Sequence, residues 1–171
     1  MDIYHRALAF VLAREGGFVD NPNDLGGATN QGVTQRVYDA WRQTQGLALQ
    51  SVRELSALEV DDIYRHLYWH PAHCDEMTDP VAICHMDWSV NHGVFGAMHT
   101  LQQAAGVISD GIWGPQTKEA VQNSIGLPAR YLDLRAQWYR DEVKNNPSQA
   151  EFLEGWLARV AYLRAYIGQT P

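Results

Sequence analysis

Cysteine is scarce, with only Cys74 and Cys84 in 171 residues. Two are too few for a disulfide framework, so free thiols are expected. No run of about 18 apolar residues occurs, which leaves no candidate transmembrane helix and no stable membrane insertion. The opening Met1-Asp2-Ile3-Tyr4-His5-Arg6 lacks the charged and then apolar regions of a secretory signal, so synthesis in the cytoplasm is expected. Positive charge is also short. Thirteen Lys and Arg face twenty Asp and Glu, giving a net charge of -7 and a pI near 5.4. Phosphate neutralisation needs clustered cations, so the reading is no nucleic acid partner. There is no internal repeat, low-complexity tract or Pro/Ser-rich linker. A chain of 171 residues with 46% hydrophobic content suits one compact, monomeric domain over residues 1–171.

What is present centres on residues 14–34, a loop rich in glycine and small polar groups between two helical patterns. Upstream, Asp2 to Arg14 reads as a helix, with Tyr4, Leu8, Val11 and Leu12 on one face and Glu15 continuing that stripe. Burial beside that face would raise the pKa of Glu15 and suit it to general acid work. The plainer alternative is a solvated glutamate at a helix end. Gly16-Gly17 is expected to close the helix in the left-handed C-cap geometry. Beyond it, turns at Asn21-Pro22 and Gly26-Gly27 would fold Asp24 and Thr29 back opposite Glu15. Two carboxyls across a cleft, one protonated and one ionised, are the requirement for cleaving a glycosidic bond.

The run Glu15-Gly-Gly-Phe-Val-Asp-Asn-Pro-Asn-Asp24-Leu-Gly-Gly-Ala-Thr29-Asn30-Gln31-Gly-Val-Thr34 resembles the signature of glycoside hydrolase family 108, phage-type N-acetylmuramidases acting on peptidoglycan. The resemblance implies a mainly α, lysozyme-like fold with a catalytic loop or short β-hairpin after the first helix. It also implies Glu15 as catalytic acid. The Glu, Asp, Thr order is similar to the broader phage lysozyme pattern, which implies that Asp24 and Thr29 position the hydrolytic water. Thr29 stands one residue earlier than in that pattern, and Leu25 replaces the family's usual proline. Asn30 and Gln31 join the site as expected substrate contacts. No cofactor and no metal is required by this chemistry.

Downstream, Thr34 caps an expected helix to about Gln45, ended by Gly46, with Val37, Ala40 and Trp41 on one face. Ser56-Ala-Leu-Glu59 reads as a capping box opening a helix through about Trp69, with Leu58, Ile63 and Leu67 inward and Val60 and Tyr64 as further candidates. Pro71 ends it. His73, Cys74, Cys84 and His85 are zinc-ligand types, but adjacent His-Cys pairs lack the usual ligand spacing. Buried cysteines and surface histidines are the better reading.

A helix from Pro80 to about Asn91 carries Asp87 and Asn91 four residues apart on one face. The stretch Asp87 to Gly93 resembles a family element, Asp-x-x-x-Asn-x-Gly. The pair either lines the cleft floor as substrate contacts or is buried and holds the loop. Next come a helix over about Phe95–Ala105 and the run Asp110-Gly-Ile-Trp-Gly-Pro-Gln-Thr117, which resembles the core of small peptidoglycan-binding modules. Two closing helices are expected over about Leu127–Lys144 and Ser148–Ile167.

The implied division is a muramidase part at 1–93, with catalytic loop 15–34, and a helical module-like part at 94–171. The expected function is hydrolysis of the β-1,4 bond between N-acetylmuramic acid and N-acetylglucosamine, with peptidoglycan glycan strands as the partner. Without a signal segment, access to the wall would follow holin-type lysis or a secretion system. Rival readings are a lytic transglycosylase, a non-catalytic peptidoglycan-binding or secretion-related protein and, weakest, a zinc amidase.

Overall fold

The computed structural model describes residues 1–20 and 27–168. Helix α1, Ile3–Leu12, opens on Asp2, whose side chain accepts from the His5 amide as an N-cap, and buries Tyr4, Ala7, Leu8, Phe10 and Val11. It ends differently from expectation. Gly16 and Gly17 do not adopt positive φ. Instead the last turn tightens, with the Arg14 amide donating to Val11 O at 2.9 Å and the Glu15 amide shared between Val11 O and Leu12 O.

Two short strands follow, β1 Thr29–Asn30 and β2 Val33–Thr34, paired antiparallel with Thr29 opposite Thr34 and Asn30 opposite Val33. Gln31 (φ 48°) and Gly32 (φ 77°) make the two-residue turn, both in the left-handed region that tight hairpins use. Val19 and Thr29 exchange two backbone bonds of 2.8 Å, which close the base of the loop.

Thr34 caps α2, Gln35–Thr44. Its most buried residue is Tyr38; of the expected face, Val37 and Trp41 are half-buried against the core and Ala40 is exposed. The Ser56 capping box is present and opens α3, Ala57–Tyr64, which continues in π geometry over Arg65–Trp69. Val60, Ile63 and Tyr64 face the core. Leu58 does not: two residues before Val60 it lies about 200° round the helix, and it is 83% exposed. The wider π turn advances the inward position from Leu67 to Trp69, leaving Leu67 41% exposed.

Helix α4, Asp79–His92, is the axis of the molecule, with every residue from Val81 to Ser89 buried. A helix covered all round needs neighbours on each side. Here they are α1, α5 (Val94–Ala105), α7 (Leu127–Asn145) and α8 (Leu153–Gly168). A 3-10 turn, Pro147–Phe152, occupies what was expected to be the start of the last helix. Both halves of the chain contribute side chains to a single hydrophobic cluster.

Helix α6, Pro115–Asn123, starts after a turn built on Gln102. The buried Gln102 amide donates to Asp110 Oδ1, Ile112 O and Thr117 Oγ1, and its carbonyl oxygen accepts from the Gly111 amide. The module-like motif therefore folds as a scaffold. Trp113 and Lys118 both donate to Glu76, fastening this turn to the short helix at Cys74–Glu76. Among the described residues, no helix is long and apolar enough to cross a membrane.

Candidate active site

Glu15 emerges where the end of α1, the hairpin turn and α8 converge, with its side chain 22% exposed. The hairpin is tied to it through the backbone. The Gln31 amide donates to Gly16 O at 3.1 Å, and the Tyr64 hydroxyl donates to Gln31 O at 2.9 Å. Burial, and next the charge of Glu15, push the Tyr64 phenol well above its ordinary pKa, so it stays a neutral donor. Gly32 brings bare backbone against the carboxyl. A Cβ placed there would lie 3.1 Å from Glu15 Oε2 and 3.3 Å from its Cδ, and would overlap the Tyr64 hydroxyl.

The surroundings of Glu15 are more polar than the expected apolar shelter. Arg159 of α8 donates to Glu15 Oε1 at 3.5 Å. The same guanidinium holds Asp87 more closely, at 2.7 Å through Nη2 and 3.1 Å through Nε. Arg135 of α7 grips the other Asp87 oxygen at 2.5 Å and rests 4.6 Å over the Trp88 ring. Burial works against the Asp87 charge, but the two guanidinium groups outweigh it and hold its carboxyl below the usual carboxylate range. The result is a buried ion cluster joining α4, α7 and α8, with Glu15 at its exposed end.

This geometry sorts the expected site residues. Asp87 is fully buried and acts on the site through Arg159, so it is not a glycan contact. Asn30, 8% exposed, donates to Val52 O at 3.0 Å and Arg53 O at 3.5 Å, and anchors the hairpin instead of facing substrate. Thr29 is half-buried with its hydroxyl on Gly27 O at 3.4 Å. Gln31 is half-buried, and its side chain makes no hydrogen bond among the described residues. Asn91 is exposed, with its amide donating to Asp87 O at 2.6 Å. Asp24 lies outside the described residues.

The four zinc-type residues do not converge. His73 pairs with Glu76, Cys74 and Cys84 are buried free thiols, and His85 bonds Tyr131. His85 is a correction to the surface expectation: it is fully buried, and burial pushes its pKa down to about 3.

Sequence reading missed Arg135, Arg159, Tyr64 as a site group, and Gly32. A signal for the arginines exists. Each interrupts an apolar stripe, Arg135 between Tyr131 and Tyr139 and Arg159 between Trp156 and Leu163, and a cation there implies a buried partner.

A family model described as Glycosyl hydrolase 108 matches residues 8–93, and one described as Predicted Peptidoglycan domain matches residues 96–161. The chain belongs to the glycosyl hydrolase 108 family and is a glycoside hydrolase acting on peptidoglycan. It is similar to the solved structure of SagA from Brucella abortus, at 31% identity and a TM-score of 0.77 over 96% of this chain and 92% of that one. The fold is the mainly helical, lysozyme-like one. Among curated proteins none matches. Glu15, Gly32, Tyr64 and Asp87 lie within the first matched region, whereas Arg135 and Arg159 lie within the second.

Proposed function

We propose that the protein is an N-acetylmuramidase that cleaves the β-1,4 bond between N-acetylmuramic acid and N-acetylglucosamine, with Glu15 as general acid. The carrying observation is the setting of the Glu15 carboxyl, half-buried and held between the Gly32 backbone and Arg159. Glu15 gives its proton to the bridging oxygen as the bond from the muramyl C1 breaks. The leaving sugar departs with a hydroxyl, and charge develops on the ring left behind. Arg159 then faces the carboxylate that proton donation creates, and a cation already fixed in place needs no reorganisation to stabilise it. Asp87 keeps the guanidinium there. Asp24 polarises the attacking water or stabilises the charge developing on the ring, and Thr29 helps position that water, roles that rest on the resemblance of the loop. The uncommitted side chain of Gln31 is available to the glycan.

The test is digestion of purified peptidoglycan by wild type and Glu15→Gln, with mass spectrometry of the products. Reducing muropeptides from wild type, and a loss of ~10² or more in the variant, are expected. Anhydro-muropeptides would instead make the protein a lytic transglycosylase, and absence of turnover by folded wild type on several walls would leave a binding protein.

A further inference from the structure

Beyond the ion cluster the same three helices form a cavity that the chemistry at Glu15 does not use. Arg135 and Arg159 meet at Asp87. One turn further along α4 and α7, and one turn earlier on the antiparallel α8, stand Asn91, Tyr139 and Trp156, a step of about 5.4 Å. With Trp138, Glu142 and Gln149 they line a cavity of ≈ 230 Å³. Arg159 touches both Asp87 and Glu15, so the ion cluster links the helices that wall this cavity to the Glu15 carboxyl.

Its walls and rim differ in kind. Tyr139 and Trp156 stack at 4.9 Å, and Trp138 meets Tyr139 edge-on at 5.6 Å, so the interior is aromatic. Trp138 and Trp156 are only half-buried. On the rim, the Glu142 and Gln149 side chains make no hydrogen bond among the described residues, and the Asn91 side-chain oxygen accepts none. Aromatic surface bearing uncommitted polar groups is suited to a ligand with one apolar face and several hydroxyl or amide edges. A pyranose has that form.

We propose that this cavity seats one N-acetylglucosamine ring of the glycan strand and sets the register in which the strand lies over Glu15. The identity of the strand rests on the hydrolase reading above. The ring's C–H face packs on the indoles, and its acetamido N–H donates to Glu142 or Asn91. N-acetylmuramic acid is disfavoured, because its lactyl carboxylate would approach the Glu142 carboxylate, and like charges repel. The cavity thus selects the neutral sugar of the alternating pair.

The experiment titrates Glu15→Gln protein with β-1,4-linked tri-N-acetylglucosamine and separately with N-acetylmuramic acid, followed by tryptophan fluorescence and calorimetry. Saturable binding of the trimer is expected. Trp156→Ala should weaken it about fivefold or more. Glu142→Gln changes no volume and so keeps the test open if Trp156→Ala fails to fold. It should narrow the preference for N-acetylglucosamine over N-acetylmuramic acid by about two- to fivefold. Unchanged trimer affinity in folded Trp156→Ala, or an unchanged sugar preference in Glu142→Gln, would overturn the assignment. Because binding is read without turnover, the two readings fail separately. Cavity-dependent binding by a wild type that cleaves nothing supports the subsite and sinks the hydrolase mechanism. Cleavage with KM unmoved by Glu142→Gln sinks the subsite alone.

Discussion

Gly32→Ala is the sharpest perturbation of the site, because it adds one methyl group to the backbone that faces Glu15. Two costs follow from the structure. A residue with a Cβ at φ 77° sits in left-handed space, which costs about 1–2 kcal/mol. The methyl would also overlap the Tyr64 hydroxyl, so the bond from Tyr64 to Gln31 O must break or bend, costing about 0.5–1.5 kcal/mol. Together these give about 1.5–3.5 kcal/mol. For a chain of this size that lowers Tm by roughly 3–14 °C. Activity should fall as well. With Glu15 Oε2 only 3.1 Å from the added carbon, the carboxyl must shift by a few tenths of an ångström, and since a 1 Å misplacement costs about 10²-fold in rate, a loss of about three- to tenfold is expected.

The assay is turnover of labelled peptidoglycan at a temperature where calorimetry shows the variant folded. Gly155→Ala is the companion. Nothing described lies within 4 Å of a Cβ at Gly155 in α8, so it should gain about 0.4–1 kcal/mol and keep full activity. Folded Gly32→Ala with turnover within about twofold of wild type would refute the idea that this glycine positions Glu15.

Arg159→Gln should lower kcat by about 10²-fold while leaving KM for short glycans nearly unchanged, which steady-state kinetics would resolve; an equal loss in KM alone would assign Arg159 to ground-state binding. Asp87→Ala should destabilise the protein by about 3–5 kcal/mol in urea titration, because it strands the fully buried Arg135 without its counter-charge; a change under about 1 kcal/mol would show that the cluster is not what fastens α4 to α7 and α8. Acid should destabilise the fold before the carboxylates titrate. His85 is held neutral, with its pKa depressed to about 3 against an ordinary 6.5. Between those values the unfolded chain binds the extra proton, so stability is full above about pH 6.5 and declines below it, by up to about 1.4 kcal/mol per pH unit. Urea midpoints between pH 7 and pH 5 should fall for wild type and flatten for His85→Gln.

Much of the fold was legible because its signals are local. The Ser56 capping box and the Thr34 cap mark helix boundaries through bonds made within a few residues. Facing was harder. Leu58 and Leu67 were misassigned because a π turn and a phase choice depend on what the helix packs against. Glu15, Thr29 and Gln31 were found as residues of the loop, and their backbone ties to Gly16 and Val19 follow from a hairpin whose turn chemistry is written in Gln31-Gly32. Asp87 was recognised as important, with its two possible roles left open. The choice between them needed Arg135 and Arg159, which lie 48 and 72 residues away and meet it only after α7 and α8 dock. Long-range ion pairing leaves no periodicity to read.

The location of Arg159 bears on how such chains are inherited. Its guanidinium reaches Glu15 from the region matched as a peptidoglycan domain, 144 residues further along the chain. A gene fragment encoding only the hydrolase-matched region would carry Glu15 and Asp87 but neither arginine. Recombination that swaps the C-terminal region therefore exchanges part of the candidate site along with it. The two regions are modular as text and joint property as machinery, so a transplanted partner must bring an arginine to the same spot.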